Sequence, residues 1–289
     1  MEKDLISVII PCYNRVDTIM PCLETVLNQS YKSIEVIIAD DGSTDGTQSL
    51  FESFSDPRVR YHRYTPNKGA CHARNYGAGL SRGEYIAFQD SDDFWHPDKL
   101  EKQLSFMLQE KTKFTFCGMN RVSEKGSRYY YPVHGFSREK DPITQLLLEN
   151  RVGTQTMLMR REVWEEVRFD ESFRRYQDWD FALRVAARYK MSYLPEALVD
   201  SAVSGSSISS SVKSVPALMH LYQMHNPEFD SRPDCLARYY RRLALRLKNE
   251  QPAQAADYYK KCWKLSKRPE DYLSHLLCSF RKLGRARKN

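Results

Sequence analysis

Four short apolar or β-branched runs punctuate the first ninety residues: Ser7-Val8-Ile9-Ile10, Val36-Ile37-Ile38-Ala39, Val59-Arg60-Tyr61 and Tyr85-Ile86-Ala87-Phe88. Each is bounded by turn-forming residues, the pattern of a short buried strand. Between them the apolar positions recur at helical spacing instead. Ile19, Leu23, Val26 and Leu27 share one face of a helix that Asp17 can cap; a second helix follows Asp45, and a third runs from near Ala70 to Leu80. Strands that alternate with helices in this way predict a parallel sheet covered on both faces.

The pattern weakens further on. Residues 120–160 hold a Tyr129-Tyr130-Tyr131 cluster among loop formers and predict no definite element. From Phe169 the chain enters Tyr176-Gln177-Asp178-Trp179-Asp180 and then a helix carrying Phe181, Leu183, Val185 and Ala186. Ser201 to Ser214 is rich in Ser and Gly and predicts a flexible connection. Three helical segments follow. The first places Leu236, Tyr239, Tyr240, Leu243 and Leu247 on one face, with Arg238, Arg241, Arg242 and Lys248 elsewhere. No internal repeat is long enough to suggest a solenoid.

Composition changes this picture mainly through charge. A chain of 289 residues, 41% hydrophobic and 28% charged, can bury a proper core as one large or two modest domains, and global disorder is excluded. Its net charge of +7 is unevenly spread. Residues 231–289 hold 16 Lys and Arg against 5 Asp and Glu, which leaves 28 against 32 in residues 1–230. The basic character belongs to the tail, so a nucleic-acid-binding protein, which needs cations on its main domain, is disfavoured. Seven cysteines, odd in number and without a C-x-x-C pair, fit a reducing compartment better than a disulfide framework or a zinc ribbon. Met1 to Tyr13 carries Glu2 and Asp4 and is broken by Pro11, a poor secretory signal. With no apolar stretch of 18 residues, membrane spans and a processive synthase built on them are disfavoured.

The strand ends carry the candidate chemistry. Ligands of such sheets collect beyond the carboxyl ends of the strands, and there this chain is polar: Pro11-Cys12-Tyr13-Asn14-Arg15, Asp40-Asp41-Gly42-Ser43-Thr44-Asp45 and Asp90-Ser91-Asp92-Asp93. No glycine lies between Met1 and Asp41, which disfavours a dinucleotide fingerprint and also the glycine-rich loop of a sugar-nucleotide nucleotidyltransferase. Three carboxylates within four residues repel one another unless a cation sits among them. Mg²⁺ or Mn²⁺ would suit them, taking one or two carboxylates plus substrate phosphates; a solvated turn with Asp93 capping the next helix is the alternative. Asp40 and Asp41 are either turn formers or acceptors for a ring N–H of a nucleotide base. Arg74, one or two turns into the helix after Asn67-Lys68-Gly69, is either a surface residue or a guanidinium that offsets diphosphate charge.

Taken in order, Ser7 to Asn14, Asp40 to Thr47, Asn67 to Asn75 and Gln89 to Asp93 resemble the motifs of family 2 glycosyltransferases with the GT-A fold, over roughly residues 5–210. The resemblance implies an α/β GT-A catalytic domain, with a mixed and mostly parallel sheet, over residues 1–215, and a basic helical extension over 216–289. It implies that Pro11, Tyr13, Asn14 and Asp41 hold the nucleoside of a sugar nucleotide, with Asn67, Arg74, Asp90 and Ser91 completing the donor site. The family's D-x-D motif falls on Asp90 and Asp92, Asp92 being the direct ligand of Mn²⁺ or Mg²⁺. The family's catalytic base falls on Asp178, 86 residues after Asp92, with Gln177 where the family often has Glu and Trp179 beside it. Asp180 is the alternative base, although on a helix it faces another way. Some relatives carry a His near the Ser-rich loop; here Ser201 to Ser209 has none, and Ser206 and its neighbours would close over the diphosphate through hydroxyls and N–H groups.

One base opposite the leaving group implies a single displacement with inversion, since no nucleophile for a double displacement is evident. The donor implied is a UDP-hexose or UDP-N-acetylhexosamine, and the acceptor a hydroxyl of a glycan or polyprenyl-diphosphate-linked sugar in lipopolysaccharide or capsule synthesis. Such an enzyme works in the cytoplasm at the inner face of the plasma membrane. The cationic, amphipathic residues 231–289 would meet that anionic surface, or form a helical hairpin for a protein partner; no nucleic acid is expected.

Overall fold

The computed structural model describes residues 1–123, 126–203 and 212–286. The chain forms two compact units, Met1–Pro142 with Asn150–Gly205, and Ile143–Glu149 with Ser206–Asn289.

The first unit opens with β1 (Glu2–Cys12), α1 (Ile19–Leu27), β2 (Ile34–Asp40), α2 (Thr47–Glu52), β3 (Val59–Arg63), α3 (Ala70–Leu80) and β4 (Gly83–Phe88). These strands lie parallel in the order β3-β2-β1-β4. All seven residues of β2 and the last eight of β1 are buried, as the continuous apolar runs require of strands covered on both faces. Register fixes the site. Cys12 pairs with Asp40 and Ile9 with Phe88, so the polar segments after β1, β2 and β4 emerge along one edge of the sheet. α3 lies close on the sheet because Gly77 has no side chain: a Cβ there would stand 2.7 Å from Ile9 Cγ2.

The remaining elements of this unit are β5 (Asp93–Trp95), α4 (Lys99–Gln109), β6 (Phe114–Ser123), β7 (Arg128–Tyr131), β8 (Met157–Arg160), α6 (Arg161–Val167), α7 (Gln177–Ala186) and β9 (Met191–Val203), with α5 (Pro142–Leu148) falling between β7 and β8. β8 enters antiparallel between β4 and β6, β9 runs parallel to β6, and β5 and β7 pair antiparallel with β9 and β6. The sheet is therefore mixed, with its β3-β2-β1-β4 half wholly parallel. The stretch 120–160, indefinite in sequence, supplies part of β6, β7, α5 and β8.

Three local expectations change. Thr18, not Asp17, stands at the N-cap position of α1 and makes no side-chain cap hydrogen bond, and the N–H of Ile19 is satisfied by Arg15 O at 2.9 Å. Asp93 opens β5 instead of capping a helix; its side chain is buried. The segment from Ser201 begins as strand, because β9 continues to Val203; residues 204–211, Ser206 among them, lie outside the described residues.

The second unit is helical: α5, α8 (Val215–Met224), α9 (Asn226–Asp230), α10 (Pro233–Leu247), α11 (Pro252–Ser266) and α12 (Pro269–Ala286). The apolar face expected on α10 is spent inside this unit. Tyr239, Leu243 and Leu247 are buried, the Tyr239 ring stacks on Tyr222 at 5.2 Å, and Tyr240 stacks on Tyr258 at 6.0 Å. Arg241 on α10 binds Asp271 on α12 with both carboxylate oxygens, at 2.7 and 2.5 Å. No helix of the described residues is long and apolar enough to cross a membrane.

Candidate active site

A cavity of about 520 Å³ opens at the edge where β1, β2 and β4 end, lined by Pro11, Cys12, Tyr13, Arg15, Asp41, Asn67, Gly69, Ala70, Ala73, Arg74, Asp90, Ser91 and Asp92. Eight of the residues singled out in sequence thus share one cavity. Asn14 does not line it. That residue takes a left-handed conformation with φ 52° and ties two loops together: its N–H donates to Ser43 Oγ at 2.9 Å and its Oδ1 accepts from the Thr44 N–H at 2.8 Å.

The Asp-Asp pair divides its work because successive residues leave a strand toward opposite sides. Asp40 turns inward, where Oδ1 accepts from the Ser43 N–H and hydroxyl at 2.8 and 2.6 Å and Oδ2 from the Tyr61 hydroxyl. Asp41 turns to the cavity. Its two oxygens accept the N–H groups of Lys68 and Gly69, each at 2.7 Å, and so fix the loop that carries Asn67. Gly69 stands at φ 98°, and Arg174 Nη1 occupies the space a Cβ would need, 2.5 Å away.

The acidic cluster also separates. Asp93 is buried, and its carboxyl is pushed well above the usual range by burial and by Asp90. Asp90 is paired with Arg74 Nη2 at 2.7 Å, and Arg74 is only 5% exposed. Arg74 is therefore no surface residue. Its Nη1 reaches Gln177 Oε1 at 3.4 Å, while Nε is buried without a partner among the described residues. Asp92 stays half-exposed on the cavity, with Arg15 Nη2 3.4 Å from Oδ2 and Arg15 Nε donating to Ser91 Oγ at 3.2 Å. Burial and the neighbouring Asp90 raise the Asp92 carboxyl, and Arg15 opposes them. Sequence reasoning passed over Arg15, although its place directly after Asn14 at a polar strand end was a signal.

Among the described residues no three His, Cys, Asp or Glu side chains converge to hold a metal by themselves. The donor set still suits Mg²⁺ or Mn²⁺. Asp92 offers a half-exposed carboxylate beside Asp90, held by the Arg15 contact at 3.4 Å, and such ions take one or two carboxylates and complete their shell with water and substrate phosphates.

Asp178 lies in the first turn of α7, after Tyr176 in the N-cap position. Asn150 Nδ2 donates to its Oδ2 at 2.9 Å, and the Trp179 N–H to its Oδ1 at 2.9 Å. Burial raises its carboxyl, while Asn150, the Trp179 N–H and Arg74 hold it down. The Trp179 ring is buried against Tyr176, so this residue meets the site through its backbone. Asp180 is 1% exposed and committed to Arg184 at 2.5 Å on the next turn of the helix, which removes it from the cavity. Gln177 is linked to this cavity through Arg74. A carboxylate at 177 would compete with Asp90 for that guanidinium, whereas the neutral amide oxygen accepts from it without adding charge.

Comparison with known proteins gives a family and a fold. The family model described as glycosyl transferase family 2 matches residues 7–168. A putative teichuronic acid biosynthesis glycosyltransferase of Bacillus subtilis is 38% identical over 164 residues, 55% of this chain and 64% of the relative. A UDP-Glc:α-D-GlcNAc-diphosphoundecaprenol β-1,3-glucosyltransferase of Escherichia coli is 43% identical over 113 residues, 39% of this chain and 45% of the relative. The chain spans a third to two thirds of the length of the first curated relatives it matches, from 33% to 64%. Among solved structures, S. aureus TarS 1–349 in complex with UDP-GlcNAc superposes with a TM-score of 0.68 at 19% identity, covering 91% of this chain and 82% of that one. A Pyrobaculum calidifontis mannosyltransferase in complex with GDP-Man and Mn²⁺ gives 0.65 at 18% identity, covering 96% and 79%. At these identities the likeness is one of fold.

Proposed function

Since the chain belongs to glycosyl transferase family 2, we propose that it transfers a hexose or N-acetylhexosamine from a UDP-sugar to a hydroxyl of a lipid-linked glycan, with inversion at the anomeric carbon, in the synthesis of a bacterial surface polysaccharide of the lipopolysaccharide or capsule kind. The observation that carries this is one cavity holding Asp41, Arg74, Asp90 and Asp92, joined through Arg74 and Gln177 to the first turn of α7, where Asp178 sits.

In this proposal Pro11, Tyr13, Asp41 and Asn67 hold the nucleoside, and Arg15, Arg74 and Ser91 face the diphosphate. Asp92, with Asp90 beside it, would hold Mn²⁺ or Mg²⁺, and such an ion would contribute positive charge facing the diphosphate. Asp178 takes the proton of the acceptor hydroxyl as that oxygen bonds to C1, and the bond from C1 to the phosphate oxygen breaks with its electrons on UDP. Burial of Asp178 suits it to this work, because a carboxylate pushed upward is the stronger base. The catalytic part comprises residues 1–215, with the basic helices of 216–289 beside it in the chain. The donor and acceptor classes are supported by the Escherichia coli relative, which is named for UDP-Glc and a diphosphoundecaprenol-linked GlcNAc.

An acceptor of this class supports a working place at the inner face of the plasma membrane, and residues 231–289 are proposed to meet its anionic lipids. The surface suited to this is on α12. Tyr272, Leu273 and Leu277 are exposed there, at 42%, 57% and 65%, ahead of Arg281, Lys282 and Arg285 in the same helix.

The test is a screen of UDP-, GDP- and dTDP-sugars with Mn²⁺ or Mg²⁺ and a synthetic GlcNAc-diphosphoundecaprenol acceptor, scored by nucleotide release and product mass. Turnover of a UDP-hexose that needs the metal is expected. Failure to bind or turn over any donor would sink the proposal.

A further inference from the structure

The proposed base is held by a residue that no motif singles out. Asn150 follows α5 and lies 28 residues before Asp178, with nothing in its neighbours to mark it. Its side-chain Nδ2 donates to Asp178 Oδ2 at 2.9 Å. Asn150 is itself fixed from two directions: its carbonyl oxygen accepts the hydroxyl of Tyr131, at the end of β7, and its Oδ1 accepts the Val152 N–H at 3.3 Å. An amide whose oxygen is already occupied by an N–H must turn its NH₂ the other way, here toward the carboxylate.

From this clamp we propose that Asn150 is a positioning residue: its amide sets the orientation of the Asp178 carboxylate and favours the ionised form. The inference rests on Asp178 acting as the base. The charged groups near Asp178 are Arg74, which favours ionisation, and Asp90, which opposes it. A neutral amide adds a hydrogen bond to the anion without further charge and leaves the carboxylate oxygens lone pairs for a hydroxyl proton. An Asp178 without this partner would rotate more freely and hold its proton to higher pH.

The experiment uses the full chain with the donor and acceptor that turn over in the screen. Asn150→Ala is expected to lower kcat roughly 10- to 100-fold, leave the donor KM and the calorimetric affinity for UDP within about twofold, and move the acid limb of the kcat/KM profile upward. Asn150→Asp keeps the size of the side chain but sets a second carboxylate beside the base, so it should fall further and show a larger upward move of the limb. Asp178→Asn serves as the reference and should lose transfer while keeping UDP affinity. If Asp178→Asn still transfers, the base assignment fails and the inference with it. If Asp178→Asn is inactive while either Asn150 variant keeps the native kcat and acid limb, the positioning role alone is overturned. Loss of UDP affinity in step with turnover in the Asn150 variants also overturns it, since that pattern belongs to a structural residue.

Discussion

Lys99 shows how far a single residue can depart from what its type suggests. At the start of α4 it has no accessible surface; its Nζ lies 3.9 Å from the centre of the Trp95 ring and donates to Gln103 Oε1 at 2.9 Å. Burial pushes it down from 10.5 to about 8. The unfolded chain then binds more protons than the folded one between about pH 8 and 10.5, so this group costs stability below that window and ceases to do so as pH rises through it. The cost is about 3 kcal/mol at neutral pH. Lys99→Met, similar in length and uncharged, should remove this dependence. Urea unfolding of both chains at pH 7 and pH 10 should show the native chain gaining on the variant by about 2–3 kcal/mol, part of the cost remaining because the unfolded lysine is still mostly protonated at pH 10; a difference that stays constant would mean that Lys99 does not titrate in this range. No sequence pattern marks Lys99 as buried, because a lysine at the start of an amphipathic helix looks like an ordinary solvated cation. Asn150 was invisible for a similar reason: its partners come from β7 and α7, far away in sequence. That Asp41, Asp90 and Asp92 share one cavity was legible because polar residues at the carboxyl ends of buried strands have few structural uses, whereas Pro11 was marked only by the family resemblance.

At the scale of elements, the cavity depends on how closely α3 lies on the sheet, since α3 carries Arg74. Gly77 sets that distance, with Ile9 Cγ2, Ala39 Cβ and Ile37 Cγ2 at 2.7, 3.2 and 3.6 Å from the position of a Cβ. Gly77→Ala gains about 1 kcal/mol in helix propensity, but it drives a methyl into a stiff β-branched side chain in the core of β1, and overpacking of this kind costs about 1–3 kcal/mol. The expected outcome is a net loss of about 1 kcal/mol in urea unfolding, with weaker UDP binding because Arg74 moves with the helix. A stabilised variant would show that the sheet yields easily at this point. The helix over 70–80 and its neighbouring strands were readable from periodicity, yet the reason for Gly77 was not, because only the packed pair of layers reveals the contact. The same holds for β8. Its few apolar residues read equally as helix or strand, and pairing with β4 and β6 decides the matter.

For the whole molecule, the net charge of +7 describes neither end of the chain. Residues 1–230 carry a slight excess of acid, and the carboxylates at the strand ends gather around Arg74 and Arg15. The cations of α10 lie on a helix whose apolar face is already used: it buries Tyr239, Leu243 and Leu247 against its own unit. A membrane contact built on α10 would require that packing to come apart. α12 asks for no such cost, since Leu273 and Leu277, one helical turn apart, are exposed as the unit stands. An anionic surface would be held there by apolar insertion together with the charge of the tail, and the two contributions can be separated. Leu273→Glu with Leu277→Glu should weaken sedimentation with vesicles of 30% phosphatidylglycerol by about tenfold or more at physiological salt, since two apolar side chains are lost and two negative charges are set against the lipid. The same chain should keep its turnover of a water-soluble acceptor, because the substitutions lie outside the unit that holds the cavity. Raising the salt to 0.5 M should weaken binding of the native chain while leaving a residual apolar part, and neutral phosphatidylcholine vesicles should bind poorly. Equal sedimentation of the native chain and the double variant would remove α12 as the contact and return the tail's charge to a solvated surface.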